Sequence, residues 1–271
     1  MKLQDVFKPV QSELRDMERE LRSLAAGLSF ESIRAILERF FTAPGKYLRP
    51  ALLLMSADAA GDFDAETRSR LVRAAAGVEL IHNASLVHDD VIDEDLERRG
   101  QATVNAGHGN RVAILAGDTL YSKAFSMMID ALPKHLLKDI VELNITMCSA
   151  EVEQEKNRTT KRPVGKELLL KINEGKTASF MSVACKIGAS LGGGSPEVVA
   201  RLEGFGLDFG MAFQLYDDLS DHDADLPDLD VLAEARRFAK AALARLEGIR
   251  PSAGRTALAN LVEHLVDKGG N

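Results

Sequence analysis

The chain has 271 residues and a formal net charge of −7, and 45% of its residues are hydrophobic while 28% are charged. This composition is typical of a folded globular protein, and the length is within reach of one large domain. The acidic balance disfavours a protein that binds the phosphate backbone of nucleic acid, so no nucleic-acid partner is expected.

The sequence also bears on location and redox chemistry. It contains no apolar run long enough for a transmembrane segment, and its first ten residues lack the apolar core of a signal peptide, so we expect a soluble, cytoplasmic protein. The two cysteines, Cys148 and Cys185, show no CxxC spacing. We interpret them as small buried side chains and not as a disulfide or a zinc site.

Apolar residues recur at helical spacing along the chain, as in the stripe of Leu71, Ala74, Ala75, Val78 and Ile81, which continues with His82, Ser85 and Leu86. Short breaks rich in glycine and proline separate these segments, which predicts roughly ten helices. The stretch "SPEVVARL" has the serine cap, early proline and early glutamate of a helix start. The segment 109–132 is apolar nearly all round, which predicts a helix at the centre of a bundle. The sequence therefore predicts an all-α protein with residues 1–271 in a single domain.

Two aspartate clusters share one spacing, D-D-x-x-D. We call Asp89, Asp90 and Asp93 the first aspartate motif, and Asp217, Asp218 and Asp221 the second aspartate motif. Residues four apart lie on one face of a helix, so each motif presents paired carboxylates that repel one another. A solvated acidic face is the ordinary interpretation of such a run, but apolar residues flank both motifs. A hard divalent cation can hold such carboxylates together, and Mg²⁺ suits a site completed by water and phosphate.

Basic residues near these motifs are candidates for binding that phosphate. Arginine matches phosphate oxygens with a bidentate fork, although each basic pair alone is more often a solvated surface charge. The candidates are Lys46 and Arg49 in "GKYLRP", Arg98 and Arg99 in "ERRG", and Lys176 in "EGKTASF". His82 lies about two helical turns before Asp89, from where it could reach a second diphosphate.

The order of these motifs resembles the trans-isoprenyl diphosphate synthase (polyprenyl synthetase) family. The resemblance extends from "GKYLRPALLL" to "FQLYDDLSD" and includes "LIHNASLVHDDVIDEDLERRGQATVN", "GNRVAILAGDTLY" and "GKTA". It implies the all-α isoprenoid synthase fold, usually homodimeric, as one large helical bundle around a deep central cavity. The two aspartate motifs would face each other across that cavity.

The resemblance also implies roles for individual residues. Several Mg²⁺ ions would be bound by Asp89 and Asp93 with Asp90 in support, and by Asp217 with Asp218 and Asp221 nearby. The allylic diphosphate site would include Arg98, Lys176, Thr177 and Gln214. The isopentenyl diphosphate site would include Lys46, Arg49, His82 and Arg99.

The implied activity is that of a prenyltransferase. Mg²⁺ and cationic side chains would stabilise the departing diphosphate, the isopentenyl double bond would attack the allylic cation, and no protein nucleophile is required. Ala84 and Ser85, one turn before Asp89, are small where short-chain members often carry an aromatic residue. We therefore predict products longer than fifteen carbons, and Ala84→Phe is expected to shorten them.

Two alternatives remain at this stage. After Asp221 the family continues through a lysine-bearing loop and a further helix, whereas here "HDADLPDLD" leads directly to "VLAEARRFAKAALARLEGI". This shortening favours an accessory or regulatory subunit of a heteromeric synthase as one alternative. A terpene cyclase is the other, and the isopentenyl diphosphate residues argue against it.

Overall fold

The computed structural model describes residues 2–42, 45–160, 165–220 and 230–269, and helices dominate it. A 3₁₀ turn at Lys8–Val10, a π turn at Glu174–Ala178 and a small antiparallel hairpin of β1 (Glu97–Arg98) and β2 (Gln101–Ala102) complete the regular structure. The predicted all-α class is confirmed. The helices are α1 (Leu3–Val6), α2 (Gln11–Ala26), α3 (Glu31–Thr42), α4 (Leu48–Ala60), α5 (Ala65–Ile92), α6 (Val104–His108), α7 (Asn110–Ala131), α8 (Lys134–Thr160), α9 (Lys166–Asn173), α10 (Ser179–Leu191), α11 (Pro196–Ser220), α12 (Val231–Arg245) and α13 (Ala253–Gly269).

The chain forms two compact units. The first-motif unit comprises Ser12–Ala51 and Arg68–Pro133 and contains the first aspartate motif. The second-motif unit comprises Met1–Gln11, Leu52–Thr67 and Lys134–Asn271 and contains the second aspartate motif. We predicted that residues 1–271 form one domain around a deep central cavity. Both statements depend on how the two units are joined, and both stay predictions.

Helix α5 is the core of the first-motif unit. Its predicted apolar stripe is confirmed from Leu71 to Ile81, where Leu71, Ala74, Ala75, Val78 and Ile81 are all fully buried. The stripe is less buried towards the end of the helix, where the partly exposed residues are His82, Ser85 and Leu86. Burial continues around the helix to the face that carries Gly77, where an added Cβ would lie 2.7 Å from Cγ of Met128 on α7. The absence of a side chain at Gly77 therefore leaves room for the Met128 side chain to pack against α5.

Helix α7 is not enclosed on all sides, which contradicts the prediction of a central helix. Within the unit, Ala113, Ala116 and Leu120 are buried. The opposite side exposes large apolar residues, with 65% of Leu115 and 64% of Ile129 accessible to solvent. An all-round apolar composition predicts burial but does not say whether the same chain supplies the covering surface.

Helices α10 and α11 form the core of the second-motif unit, and glycines on α11 allow close contact with α10 and with the π turn before it. An added Cβ at Gly206 would lie 2.5 Å from the Met181 carbonyl oxygen, and one at Gly210 would lie 2.5 Å from Cα of Ala178. The predicted start of α11 is confirmed, because the helix begins at Pro196 and the Val198 amide donates to Oγ of Ser195 at 3.4 Å.

Helix α8 exposes a single apolar stripe of Val141, Ile145, Cys148 and Val152. The prediction of two buried cysteines is therefore wrong for Cys148, whereas Cys185 is fully buried. None of the helices described in the structure combines the length and the apolar character needed to cross a bilayer.

Candidate active site

The first aspartate motif lies where α5 ends. Asp89 is half-buried and Asp90 is buried in the last turn of the helix, which ends at Ile92. Asp93 follows in an exposed turn, and its backbone amide donates to the Asp89 carbonyl at 2.8 Å. The helical spacing thus places Asp89 and Asp93 one turn apart, as predicted, with their carboxylates at the solvent-accessible end of a buried helix.

Asp90 has a different environment from its two neighbours. It is 4% exposed and forms an ion pair with Nε of Arg98, which also donates from Nη2 to Asp95 at 3.2 Å. Burial raises the pKa of Asp90 above its ordinary value, against the opposing effect of the Arg98 guanidinium. Asp90 therefore holds Arg98 in place, and its predicted support of Mg²⁺ stays a prediction.

The hairpin directs two consecutive arginines to different partners. Its two turn residues, Arg99 and Gly100, have φ values of 53° and 77°, as a two-residue hairpin of the primed type requires. Arg98 contacts Asp90, whereas Nη1 of Arg99 would lie 2.9 Å from a Cβ added at Gly45. Arg98, the last residue of β1, and Arg99, the first residue of the turn, therefore have different nearest partners.

Arg49, His82 and Arg99 form a cationic cluster in the first-motif unit. Nη1 of Arg49 is 3.2 Å from Nε2 of His82. Because a guanidinium can only donate, Nε2 of His82 accepts this bond and Nδ1 carries the imidazole proton. Burial and the charges of Arg49, Arg99 and Arg98 lower the pKa of His82 well below its ordinary value, so the imidazole is neutral at pH 7.

Glu79 lies beneath this cluster and was not predicted from the sequence. It is only 2% exposed, one turn before His82 and Asn83 on α5, and Asn83 hydrogen-bonds its carboxylate. Burial raises the pKa of Glu79 to about 7, while the charges of Arg49 and Arg99 oppose that rise. Burial likewise lowers the pKa of Arg49 to about 10, so Arg49 stays cationic at neutral pH.

The cluster is suited to an anion. Its arginines lie beside a neutral imidazole, and Lys46, which is exposed, precedes Arg49 by three residues. A lone glutamate within an apolar helical run was the sequence signal that could have identified Glu79, since a buried carboxylate needs cationic or hydrogen-bonding partners.

The second aspartate motif lies at the end of α11. Asp217 is exposed, Asp218 is partly buried, and Asp221 lies outside the described residues. Nε2 of Gln214 donates to Oδ1 of Asp218 at 2.8 Å, and Oγ1 of Thr177 donates to Oε1 of Gln214 at 2.7 Å. The predicted residues Thr177, Gln214 and Asp218 are therefore connected by hydrogen bonds.

The π turn that follows α9 presents Lys176 to α8. Nζ of Lys176 forms an ion pair with Oε2 of Glu151 at 2.7 Å and lies 3.5 Å from Oε1 of Gln154. π turns are frequent at functional sites because the extra residue changes the directions in which side chains point. In this arrangement Glu151 holds the Lys176 ammonium in the second-motif unit.

The carboxylates of the two aspartate motifs suit a metal ion that binds together with its substrate. Among the residues with described positions, no three carboxylate, imidazole or thiol groups converge to form a complete metal cage. Mg²⁺ is commonly held by one or two carboxylates, with waters and substrate phosphates completing its shell. Asp89 and Asp93 offer hard carboxylate oxygens of that kind in the first-motif unit, and Asp217 offers them in the second-motif unit. Each motif by itself therefore suits a Mg²⁺ ion that is bound together with a diphosphate.

Known proteins resemble this chain in sequence and in fold. The family described as Polyprenyl synthetase matches residues 30–230. A short chain isoprenyl diphosphate synthase of Methanothermobacter thermautotrophicus is 35% identical over 82% of this chain and 67% of its own length. Heptaprenyl diphosphate synthase component 2 of Geobacillus stearothermophilus is 33% identical over 82% of this chain and 67% of its own length.

The fold is shared with solved structures. A decaprenyl diphosphate synthase from Rhodobacter capsulatus superposes with a TM-score of 0.88 at 23% identity, covering 98% of this chain and 99% of that chain. The chain spans 55% to 67% of the length of the first curated relatives that it matches.

Proposed function

This chain belongs to the polyprenyl synthetase family, and on that premise we propose that it is a trans-prenyltransferase. It condenses isopentenyl diphosphate with an allylic diphosphate, head to tail, to give a longer trans-polyprenyl diphosphate. The observation that carries this proposal is that α5 bears two complementary sites. A cationic cluster around His82 is followed by the carboxylate of Asp89 about two helical turns later, and by that of Asp93 just after the helix ends.

The cationic cluster binds isopentenyl diphosphate. Arg49, Arg99 and Lys46 supply positive charge, and the neutral His82 accepts from Arg49 at 3.2 Å and so orients its guanidinium. Diphosphate favours such a site because guanidinium groups donate in a planar fork that matches its oxygens. This set distinguishes a chain-elongating enzyme from a terpene cyclase, which needs no isopentenyl site.

The aspartate motifs bind the allylic diphosphate together with Mg²⁺. The ions, several per site, would be held by Asp89 and Asp93 and by Asp217, with Asp90, Asp218 and Asp221 in support. Mg²⁺ supplies charge neutralisation of the departing diphosphate, which lowers the barrier to breaking the allylic C–O bond. Arg98, Lys176, Thr177 and Gln214 complete the allylic site.

The chain's own residues then act by position and charge. When the allylic C–O bond breaks, both electrons leave with the diphosphate, which cationic side chains stabilise. The isopentenyl double bond forms the new C–C bond to the allylic cation, and the proton lost from the adduct passes to the released diphosphate. Each cycle lengthens the chain by five carbons and requires water to be excluded from the cation.

The product is longer than fifteen carbons. The residues one turn before Asp89 are small: Ala84 is fully buried, and Ser85 is partly exposed with its hydroxyl donating to the His82 carbonyl at 2.9 Å. Small side chains at this level leave room for a growing hydrocarbon. The named relatives include short-chain, heptaprenyl and decaprenyl synthases, so the family alone does not fix the length.

The protein acts as a homodimer through helix α8. Val141, Ile145, Cys148 and Val152 follow one another at spacings of four, three and four residues and lie exposed on one face. This is the spacing of an apolar seam that packs against another helix. A second copy of α8 is the natural occupant, because a two-fold interface uses the same patch on both subunits.

An accessory subunit of a heteromeric synthase is the second candidate. It is favoured by the relative named heptaprenyl diphosphate synthase component 2, a name that implies a further component. It is also favoured by the direct step from "HDADLPDLD" into α12, although residues 221–229 lie outside the described part of the chain. In this case the same site acts only when the other subunit is present.

The decisive experiment supplies purified protein with Mg²⁺, labelled isopentenyl diphosphate and allylic primers of several lengths. Label in products longer than fifteen carbons supports the proposal, and label only after a partner is added supports the accessory subunit. Asp89→Asn should abolish turnover. The matched variant Asp130→Asn, at an exposed aspartate on α7, should leave it unchanged. Retained turnover in Asp89→Asn would contradict the metal assignment.

A further inference from the structure

The carboxylate of Asp218 is held from both sides. Nδ2 of Asn173 donates to Oδ2 of Asp218 at 2.8 Å, and Nε2 of Gln214 donates to Oδ1 at 2.8 Å. An ionised carboxylate only accepts hydrogen bonds, so both side-chain amides must present their NH₂ groups to it. The rotation of the carboxylate about its own bond is therefore fixed by two residues from different helices.

These bonds differ in kind from the contact of Asp90 in the first aspartate motif. Arg98 forms an ion pair with Asp90, which offsets the negative charge of that carboxylate. Asn173 and Gln214 are neutral, so their hydrogen bonds orient Asp218 without neutralising it. Each Asp218 oxygen can accept more than one bond, so an amide on each side does not exhaust its capacity.

The fold places Asn173 firmly against Asp218. It is the last residue of α9, is 6% exposed, and directly precedes the π turn. Four residues later, Thr177 contacts Gln214, which itself lies four residues before Asp218. The contact of Asn173 with Asp218 and that of Thr177 with Gln214 are therefore four residues apart on each segment, and the two segments run antiparallel. Because Gly210 has no side chain, α11 can lie close to Ala178 at the end of the π turn.

We propose that Asn173 is a positioning residue for the second aspartate motif, which with Gln214 fixes the Asp218 carboxylate in the orientation used when Mg²⁺ and diphosphate bind. The inference rests on the proposed function, since it assigns that motif to the metal. A buried asparagine has four hydrogen-bonding positions to satisfy, which makes it a costly choice for packing alone. Its hydrogen bond to Asp218 on another helix satisfies a donor of the buried amide and orients the carboxylate.

The test compares wild type with Asn173→Leu, which keeps a similar volume and removes the amide. Binding of Mn²⁺ in the presence of inorganic diphosphate is followed by electron paramagnetic resonance, and the Mg²⁺ concentration for half-maximal activity is measured separately. Residues that orient metal ligands typically contribute 10-fold to 100-fold in metal affinity. We expect Asn173→Leu to weaken Mn²⁺ binding by about 10-fold, with the KM for isopentenyl diphosphate changing less than twofold.

Two further variants separate positioning from folding. Asn173→Gln keeps the amide and should recover part of the lost metal affinity, which a purely steric role would not predict. Asn144→Leu removes an amide that donates to the Ile140 carbonyl of its own helix at 2.9 Å, and it should bind Mn²⁺ like wild type. If Asn173→Leu unfolds, Asn173→Gln and Asn173→Ser carry the comparison.

The failure of this inference is distinguishable from the failure of the proposed function. Wild type that transfers label and binds Mn²⁺ with diphosphate, while Asn173→Leu does so equally well, overturns the positioning role. Wild type that neither binds Mn²⁺ with diphosphate nor incorporates isopentenyl diphosphate overturns the proposed function instead.

Discussion

Replacing Gly210 with alanine tests whether close packing maintains the second-motif site. An added Cβ would lie 2.5 Å from Cα and 3.0 Å from Cβ of Ala178. Carbon atoms in favourable contact are about 3.5–4.0 Å apart, so α11 and the π turn must separate by about 1 Å. The obstacle is backbone, which cannot rotate out of the way as a flexible side chain can.

The size of the effect follows from two opposing contributions. Inserting a carbon into a well-packed core costs about 1–3 kcal/mol, and alanine in a helix interior gains about 1 kcal/mol over glycine. Because backbone must move, we expect a net loss of about 1–2 kcal/mol in the free energy of unfolding. At roughly 2–4 °C per kcal/mol for a large domain, the thermal midpoint should fall by about 2–8 °C.

The assay is thermal unfolding followed by circular dichroism, together with the Mg²⁺ dependence of activity. Separation of the two segments lengthens the 2.7 Å contact between Thr177 and Gln214, so half-maximal activity should need more Mg²⁺. Gly27→Ala is the matched control, because its Cβ would meet its nearest atom, the Leu24 carbonyl oxygen, at 3.7 Å. If Gly210→Ala is as stable as wild type, the close-approach reasoning is refuted.

Four further predictions follow from the other sites. Arg49→Lys should raise the KM for isopentenyl diphosphate about 10-fold with little change in the KM of the allylic primer, because lysine lacks the bidentate fork; equal changes in both would contradict the assignment. The pKa of Glu79 is raised from its ordinary 4.5 to about 7, so stability present below pH 4.5 is lost as the pH rises through 7. Glu79→Gln should remove roughly 3 kcal/mol of that pH dependence, and urea titrations across this range that keep the wild-type slope would refute it. Val141→Lys with Ile145→Lys should convert a dimer to a monomer in light scattering, and an unchanged mass would exclude the α8 face. Ser85→Phe should shorten the products seen by chromatography, and an unchanged length distribution would mean that the chain grows elsewhere.

Local sequence patterns predicted the helical class, although the described residues form thirteen α-helices where roughly ten were expected. The α5 stripe and the start of α11 at Pro196 were predictable because periodicity and capping act within a few residues. The hairpin was not predictable, because its strands have two residues each, too few to show an alternating pattern. Its turn uses Arg99 before Gly100, where the usual signal is asparagine or aspartate before glycine.

The residues of the candidate site could be proposed from the sequence, but the contacts among them could not. The two motifs and the arginines were evident from residue type and spacing. Spacing along the chain does not report contacts between different elements. Three such contacts are those of Asp90 with Arg98, Glu79 with Arg49, and Asn173 with Asp218. The exposed side of α7 was missed because apolar composition does not identify what covers it.

The π turn at Glu174–Ala178 makes the second-motif site sensitive to chain length at one point. A π turn accommodates one extra residue within a helical stretch, so α9 and α10 keep their own phase on either side of it. Deleting one residue here would restore an ordinary helix, and the side chains of the turn itself would point in new directions. We therefore expect a single-residue deletion to separate Lys176 from Glu151 or Thr177 from Gln214, even though the side chains on the flanking helices would be undisturbed.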